Sequence, residues 1–334
     1  MNTGETPPPD GAAGRARTLR SAILRHDNDY GFDPRTPSWP RPRPRVSCIV
    51  PYYDTGALAI ECVSRLDAAL TAYRAAHPDG PPDTQIVVVD DGSPTIPYPA
   101  TTTAGTNVIR LPRNQGRTAA RNIGLRASSG FDMALFVDSD VLVDAGQVIS
   151  TCRLWGAPTA DPPARAPIVA TLMATYRAGD HGFDPGAAVA LASVRADWRW
   201  SCRFQPSWIA DPGDWLYVGR RFDLVTGTDY FRRWHGTVGP WLLPNMVAGG
   251  CFAVPVTAAL EVGGFDESFT GYGFTETSLI ARLVARGVPV VPQIERAALH
   301  VEHNPAHHCQ SERDRLLALA HRRFFTELLA HDLP

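Results

Sequence analysis

Several features that would assign this chain to common functional classes are missing from its sequence. No window approaches the ~18 uninterrupted apolar residues of a membrane-spanning helix, and the N-terminus lacks the apolar core of a signal peptide. The net charge of −2 provides no field that would attract nucleic acid or an anionic membrane. The six cysteines show no Cys-x-x-Cys spacing, which favours reduced thiols. We therefore expect a cytoplasmic protein with no integral membrane segment and no nucleic-acid partner.

Glycine-rich loops that hold phosphates are missing as well. No G-x-G-x-x-G follows the first predicted strand, and G-x-x-x-x-G-K-[ST] occurs nowhere in the chain. A ligand phosphate is therefore not expected to bind a glycine loop at a helix N-terminus. A metal ion held by carboxylates is the natural substitute.

The chain alternates predicted strands and helices after residue 45. Residues 1–45 are rich in Pro, Gly and Arg and cannot bury enough apolar surface to fold alone, so we predict a tail or a strap along the domain surface. Beyond them, β-branched runs predict buried strands, and apolar residues at spacings of three and four predict helices. The strands are predicted at 46–50, 85–89, 107–111 and 134–137, and the helices at 58–73 and 116–127. This alternation predicts an α/β fold with a mostly parallel central sheet flanked by helices.

Acidic residues follow two of these strands at the point where each strand ends. Asp138 and Asp140 come directly after 134–137, and Asp90 and Asp91 come directly after 85–89. The carboxyl ends of parallel strands meet at one edge of the sheet, where ligands bind in open α/β folds. Two carboxylates one residue apart suit a hard divalent cation and, through it, a diphosphate. Each motif alone is also typical of a charged turn, but their shared edge favours a site.

Together with motifs further along the chain, these residues resemble the family 2 glycosyltransferases of GT-A fold, which use nucleotide-diphosphate sugars. The matching segments occur in family order, between residues 46 and 304. They are Val50–Tyr53, Asp90–Ser93, Asn114–Gly124, Asp138–Asp140, Gly249–Gly250 and Gly271–Leu279. The resemblance implies a GT-A (Rossmann-like) fold with a nucleotide-sugar-binding half at 46–150, an acceptor-binding and catalytic half at 151–310, and a C-terminal helix at 311–334.

The resemblance also implies which residues bind the donor. They are Pro51, Tyr53, Asp90, Asp91, Arg117, Arg121, Asp138, Gly249 and Gly250. The base is expected to stack near Pro51 and Tyr53, while a carboxylate of the Asp90-Asp91 pair accepts from the uracil imide. Arg117 and Arg121 lie four residues apart on one helix face, where they could meet the nucleotide diphosphate or pair with Asp90 or Asp138 instead.

A divalent cation, Mn²⁺ or Mg²⁺, is implied as the cofactor. By resemblance, Asp140 is its preferred ligand, Asp138 holds the donor ribose or a metal-bound water, and His303 completes the metal shell. His303 fits the expected distance from the glycine-rich segment better than His300. Surface histidines without a ligand role are a second interpretation of this segment, and a zinc site formed by His300, His303, His307 and Cys309 is a third.

Glu276 is the expected catalytic base. Family members usually carry a G-W-G-x-E-D-x-[DE]-L pattern, and alignment on Gly271–Leu279 puts Thr275 and Ser278 where two acids are usual. Glu276 is then the only carboxylate in the segment. It takes the position of the family's base, which deprotonates the acceptor. The alternative interpretation is a structural role, in which the segment is a helix N-terminus with Thr275 as N-cap and Glu276 stabilised by the helix dipole.

The acceptor is the least defined part of the prediction. Six of the eight tryptophans fall within residues 174–245, either as core anchors or as the lining of an acceptor cleft. Without a transmembrane segment, a diffusible acceptor such as a small molecule, a peptide or a soluble glycan fits best. The predicted helix from residue 311 has an apolar stripe that could pack on the domain or support a homo-oligomer.

The sequence thus predicts an inverting hexosyl- or N-acetylhexosaminyl-transferase that uses a UDP-sugar and a metal ion. A donor-binding pseudoenzyme is one alternative, because Thr275 and Ser278 replace acids. A sugar nucleotidyltransferase is another, although the Gly-rich, Arg/Lys-containing N-terminal loop of that class is absent after Val50.

Overall fold

The computed structural model describes residues 43–100, 105–156, 166–177, 244, 247, 249–269, 271–288, 290–302 and 310–330. Residues 1–42 of the predicted tail at 1–45, the tryptophans between 198 and 241, and His303 lie outside these residues. The strands are β1 (Val46–Tyr52), β2 (Thr84–Asp90), β3 (Thr106–Arg110), β4 (Met133–Val137), β5 (Val141–Leu142), β6 (Ile168–Arg177), β7 (Cys251–Pro255) and β8 (Val290–Glu302). The helices are α1 (Ala57–Ala75), α2 (Arg117–Ala127), α3 (Ala145–Gly156), α4 (Val256–Glu261), α5 (Thr275–Ala285) and α6 (Gln310–Ala330).

The strands form one eight-stranded sheet in the order β3-β2-β1-β4-β7-β6-β8-β5. The first four strands in that order pair in parallel, as do β6 and β8. Strand β7 runs antiparallel to β4 and β6, and the short β5 runs antiparallel to β8. The predicted α/β fold with a mostly parallel central sheet is confirmed, and the antiparallel strands belong to its second half.

The centre of the sheet is apolar on both faces. Every residue of β1 and of β4 is buried, as expected of strands that are covered by helices on both sides. Helix α1 buries a face that includes Cys62, Leu66 and Tyr73, at the spacing the sequence predicts. None of the helices in the described part of the chain has the length and apolar character that crossing a bilayer requires.

Strand direction places the acidic residues together. Strands β1, β2 and β4 run the same way, with Tyr52 level with Asp90 in the register of the first pair. Their carboxyl ends therefore open on one edge of the sheet, where Asp138 follows β4 directly. The backbone N–H of Asp91 donates to the carbonyl of Tyr52 at 2.9 Å, which holds the ends of β1 and β2 side by side.

Candidate active site

A buried guanidinium forms the centre of the site. Arg121 lies on α2 with only 1% of its side chain exposed, and it donates to Glu276 through Nη1. Its Nη2 donates to Asp138 at 2.5 Å and to the backbone carbonyl of Gly249 at 2.7 Å. Its guanidinium carbon also lies 5.5 Å from the ring centroid of Phe265. Residues from α5, from the turn after β4 and from the segment before β7 therefore meet at one side chain of α2.

Arg117 approaches the same two carboxylates from the solvent side. Its Nη1 lies 3.5 Å from Asp138 and its Nη2 lies 3.8 Å from Glu276, while 39% of its side chain is exposed. Because Arg117 and Arg121 are four residues apart on α2, their side chains lie on the same helix face. Asp138, Glu276, Arg117 and Arg121 thus form a four-charge cluster with no formal net charge. The sequence left open whether these arginines pair with Asp90 or with Asp138, and in the structure both pair with Asp138.

The cluster fixes the charge of Glu276. Burial alone raises the pKa of this carboxyl, but the charges of Arg121 and Arg117 and the hydrogen bond from Arg121 outweigh burial and hold the pKa of Glu276 well below its usual range. Burial likewise opposes the charged form of Arg121, yet Asp138 and Glu276 raise the pKa of that guanidinium. Both groups are therefore ionised at neutral pH.

Two glycines make room for this arrangement. A Cβ on Gly249 would lie 2.5 Å from the carboxyl carbon of Glu276, so any larger residue would displace the carboxylate. A Cβ on Gly250 would lie 2.9 Å from Met173, and the carbonyl of Gly250 accepts from the N–H of Asp138 at 2.8 Å. The pair was predicted to allow backbone approach to the transferred sugar. That role stays a prediction, and what the structure shows is that Gly249 accommodates Glu276.

The start of α5 differs from the predicted cap. Phe274 is the N-cap residue, in the left-handed region with φ 58°, while Thr275 is already the first residue of the helix. The expectation that Thr275 caps α5 is therefore wrong, since a cap must precede the first helical residue. The hydroxyl of Thr275 is buried and makes no hydrogen bond with the described residues. Glu276 remains in the first turn of the helix, where a negative charge is favoured.

Helix α6 packs against the loop that leads into α5. The ring of Phe324 stacks on Phe274 with centroids 5.3 Å apart, and both side chains are buried. Gly273 has a φ of 100°, and a Cβ there would lie 2.6 Å from Leu317 of α6. The apolar stripe that was left open between the domain and a second subunit therefore packs within the chain at Ala320 and Phe324. A homo-oligomer through this helix stays a prediction.

Backbone N–H groups bind the acidic pair at the carboxyl end of β2. Asp90 is completely buried and accepts from the N–H groups of Ser93 and Tyr98 at 2.9 and 3.0 Å. Asp91 accepts from the N–H groups of Gln115 and Gly116 at 2.7 and 2.8 Å, one on each carboxylate oxygen. Burial raises the pKa of Asp91 despite these bonds. A uracil imide would be an additional donor to an oxygen that is already bonded, so the base contact stays a prediction.

The side chains predicted to meet the base lie at the end of β1. Pro51 is buried within the strand, whereas Tyr53 is exposed just beyond it. Ile96, which sequence reasoning did not select, is also exposed and lies 3.6 Å from a Cβ built on Gly56. Asp54 ties the two loops together, because its carboxylate accepts from the N–H of Ile96 at 2.7 Å. Tyr53 and Ile96 are therefore exposed apolar side chains on these loops, and the predicted contact with the base stays a prediction.

A carboxylate and an imidazole meet on the other side of the Asp138–Asp140 turn. Asp140 Oδ2 lies 3.5 Å from His300 Nε2, because Val141 of β5 pairs with His300 of β8. The backbone N–H of Val301 donates to the carbonyl of Asp140 at 2.9 Å, which fixes that register. The sequence favoured His303 over His300 as the metal ligand. His303 lies outside the described residues, so its role is untested, and His300 is the histidine that the structure brings to Asp140.

This donor set fits a divalent cation in part. A carboxylate oxygen and an imidazole nitrogen 3.5 Å apart can bind one Mn²⁺, whereas Mg²⁺ would favour the carboxylate. Among the residues that the structure describes, no group of three or more His, Cys, Asp or Glu side chains could hold a metal ion. The remaining ligands would therefore come from the substrate, water or other parts of the chain.

Asn122 follows Arg121 on α2, and its hydrogen bonds give it a structural role. Its amide nitrogen donates to the carbonyl of Phe265 at 2.9 Å, and its amide oxygen accepts from the N–H of the same residue at 2.7 Å. A Cβ on Gly264 would lie 2.4 Å from that oxygen. Asn122 therefore ties α2 to the loop before α5, which supports the position of Arg121.

Comparison with known proteins agrees with this architecture. Residues 47–161 match the model of glycosyl transferase family 2. Validoxylamine A glucosyltransferases from Streptomyces hygroscopicus subsp. limoneus and subsp. jinggangensis (strain 5008) are each 27% identical over 282 residues, which cover 79% of this chain. The chain spans only 53% and 57% of the lengths of these two relatives.

Two solved structures share the fold at low sequence identity. Residues 1–349 of S. aureus TarS, in complex with UDP-GlcNAc, superpose with a TM-score of 0.50 at 12% identity, over 87% of this chain and 68% of that one. GalNAc-T7 with UDP, GalNAc and Mn²⁺ gives a TM-score of 0.51 at 13% identity, over 84% of this chain and 47% of that one. Residues 47–161 are thus similar to glycosyl transferase family 2, and the chain shares the GT-A fold of these solved structures.

Proposed function

We propose that this chain is an inverting, metal-assisted glycosyltransferase that moves a sugar from a UDP-sugar to a hydroxyl, or another nucleophile, of a soluble acceptor. The observation that carries the proposal is the four-charge cluster, in which Arg121 joins Asp138 at the end of β4 to Glu276 at the start of α5. A donor-side carboxylate and a candidate base are thereby held on one guanidinium. Because both carboxylates are bonded to the same side chain, the site suits a reaction in which the donor and the acceptor meet at a single carbon atom.

The transferred group is proposed to be a hexosyl or an N-acetylhexosaminyl unit. The relatives found by sequence are glucosyltransferases, which supports a hexose. The structure of TarS holds UDP-GlcNAc, and that of GalNAc-T7 holds UDP and GalNAc, which supports UDP as the nucleotide and keeps an N-acetylhexosamine in the proposal. A soluble acceptor remains part of this proposal.

Asp140 and His300 are proposed to hold the cation. When bound, Mn²⁺ or Mg²⁺ supplies Lewis acidity that takes up charge on the departing diphosphate. Asp138, two residues away, is held by Arg121 and remains 17% exposed, which suits a contact to the donor ribose or to a bound water. His303 stays a candidate for the same shell.

Glu276 is proposed to act as the base in a direct displacement. The acceptor oxygen attacks the anomeric carbon, the bond from that carbon to the diphosphate oxygen breaks, and the acceptor proton passes to Glu276. One carboxylate suffices for this step, which inverts the anomeric centre. Arg121 keeps the carboxylate ionised and oriented, so that it can accept a hydrogen bond from the acceptor before the proton moves.

A second candidate function is a donor-binding protein that transfers no sugar. One observation favours it: two arginines hold the pKa of Glu276 well below its usual range, which makes this carboxylate a weak base. The replacement of usual acids by Thr275 and Ser278 points the same way. Donor binding without transfer would distinguish this candidate from the enzyme.

The test is UDP release from UDP-glucose and UDP-GlcNAc, with Mn²⁺ and with candidate acceptors. We expect Glu276→Gln to retain UDP binding and to lose transfer by at least about a hundredfold, as loss of a general base predicts. Glu261→Gln is the matched control, because Glu261 is 59% exposed and its nearest ion-pair distance is 3.8 Å. Near-normal turnover by Glu276→Gln would remove the base assignment. UDP binding with no turnover by the unmodified chain would favour the second candidate.

A further inference from the structure

The two arginines of the four-charge cluster differ in how firmly they are held. Arg121 is 1% exposed and makes hydrogen bonds to Glu276, to Asp138 and to the carbonyl of Gly249. Arg117 is 39% exposed, and its ion-pair distances of 3.5 and 3.8 Å exceed those of a charge-assisted hydrogen bond. Removing Arg121 would strand two charges in the interior, whereas Arg117 can leave at little cost.

Arg117 also lies at the solvent-facing mouth of the site. It is the first residue of α2, directly after the segment whose N–H groups bind Asp91. Its guanidinium therefore lies between the loops that follow β2 and the Asp138 end of β4. A nucleotide with its base at the first and its phosphates near the second would have its diphosphate beside this side chain. A planar guanidinium is well suited to bind a phosphate through two parallel hydrogen bonds.

We propose that Arg117 is exchanged between two sets of anions: Glu276 and Asp138 in the empty site, and the diphosphate of the donor in the loaded site. Arg121 stays with both carboxylates throughout and acts as a positioning residue. This inference rests on the proposed function and adds a step to it. Donor binding then removes one of the two cations from Glu276, which makes that carboxylate a better proton acceptor only when a donor is present.

The proposal has a thermodynamic signature, because Glu276 and the donor compete for one guanidinium. If Glu276 loses its charge, Asp138 alone competes with phosphate for Arg117, and UDP should bind more tightly. An electrostatic effect that acts directly between Glu276 and UDP would give the same sign, but it would not depend on Arg117. A double-mutant cycle separates the two explanations.

The experiment measures the binding of UDP with Mn²⁺ to the full chain by calorimetry, in wild type, Arg117→Gln, Glu276→Gln and the double variant. We expect Arg117→Gln to weaken UDP binding by about tenfold or more, the loss typical of a charge-assisted phosphate contact. Glu276→Gln should tighten binding by roughly two- to fivefold, the range of a partly exposed ion pair, and should give no gain in the Arg117→Gln background. Arg126→Gln, on the same helix and exposed, is the matched control and should bind as wild type does.

Uridine, which lacks phosphates, provides a second measurement that does not depend on Glu276→Gln being folded. Arg117→Gln should leave uridine binding unchanged while weakening that of UDP. Equal UDP affinity in wild type and Arg117→Gln, or an undiminished gain from Glu276→Gln in the double variant, would overturn the exchange. Failure of the wild-type chain to bind UDP at all would contradict the proposed function itself, and the exchange with it.

Discussion

Replacing Arg121 with methionine removes the cation that joins Glu276, Asp138 and the carbonyl of Gly249 while keeping an unbranched side chain in the core. Breaking a buried ion pair from one side costs about 3–5 kcal/mol, because the remaining charge is left without a partner. For a large domain each kcal/mol lowers the melting temperature by about 2 °C. We therefore expect Arg121→Met to melt roughly 6–10 °C below wild type.

The ion pair between Arg121 and Glu276 also predicts the direction in which the free energy of unfolding changes with pH. The folded-state pKa of Glu276 lies below its ordinary value of 4.5, so the stability it contributes is complete above that value and is lost as the pH falls toward the folded pKa. The free energy of unfolding of wild type should thus decline on acidification from about pH 6 to about pH 3. In Arg121→Met the decline should be smaller, because burial without this guanidinium favours the protonated carboxyl.

The assays are thermal unfolding, which gives the melting temperature, and urea denaturation at several pH values, which gives the free energy of unfolding; both are followed by circular dichroism. Arg121→Met/Glu276→Gln is a useful companion, since removing both charges should restore part of the stability lost in Arg121→Met. Arg126→Met is the exposed control on the same helix. A melting temperature of Arg121→Met within 2 °C of wild type, or a double variant less stable than Arg121→Met, would refute the reasoning.

Three further predictions concern the surroundings of the cluster. Gly249→Ala should reduce transfer at least tenfold with a smaller effect on UDP affinity, because the new methyl group displaces the carboxylate of Glu276, and steady-state kinetics beside UDP titration would measure this. His300→Ala should raise the Mn²⁺ concentration needed for half-maximal UDP binding about tenfold, and Asp79→Asn, at an exposed position, is its control. An unchanged metal requirement would leave His303 as the candidate metal ligand. Phe324→Ala should cost about 3–5 kcal/mol of stability, whereas the exposed Leu319→Ala should cost less than about 0.5 kcal/mol; equal effects would contradict the packing of α6 on Phe274.

Much of the fold could be predicted because it depends on short-range pattern. The β-branched runs, the apolar spacing on α1 and the order of the motifs indicated the parallel half of the sheet and the edge where Asp138 lies. The spacing of Arg117 and Arg121 likewise predicted a shared helix face. The spacing could not predict which of these two arginines would be buried, because that depends on where α5 packs.

The proposed metal site depends on a contact between residues far apart in sequence, which no local sequence pattern predicts. Asp140 and His300 are brought together by the pairing of β5 with β8, two strands far apart in sequence. A shift of one residue in that register would turn the histidine to the other face of the sheet. The helix cap at Thr275 was mispredicted for a related reason, since the left-handed turn at Phe274 is held by the packing of α6.

The charge balance of the four-charge cluster constrains how this site can change in evolution. A single substitution that removes the charge of Arg121, Asp138 or Glu276 leaves an unpaired charge in or near the interior, at a cost that is a large fraction of the stability of most domains. Two compensating substitutions of opposite sign avoid that cost. Positions 121, 138 and 276 should therefore vary together among relatives of this chain, as a single inherited unit rather than as three independent sites.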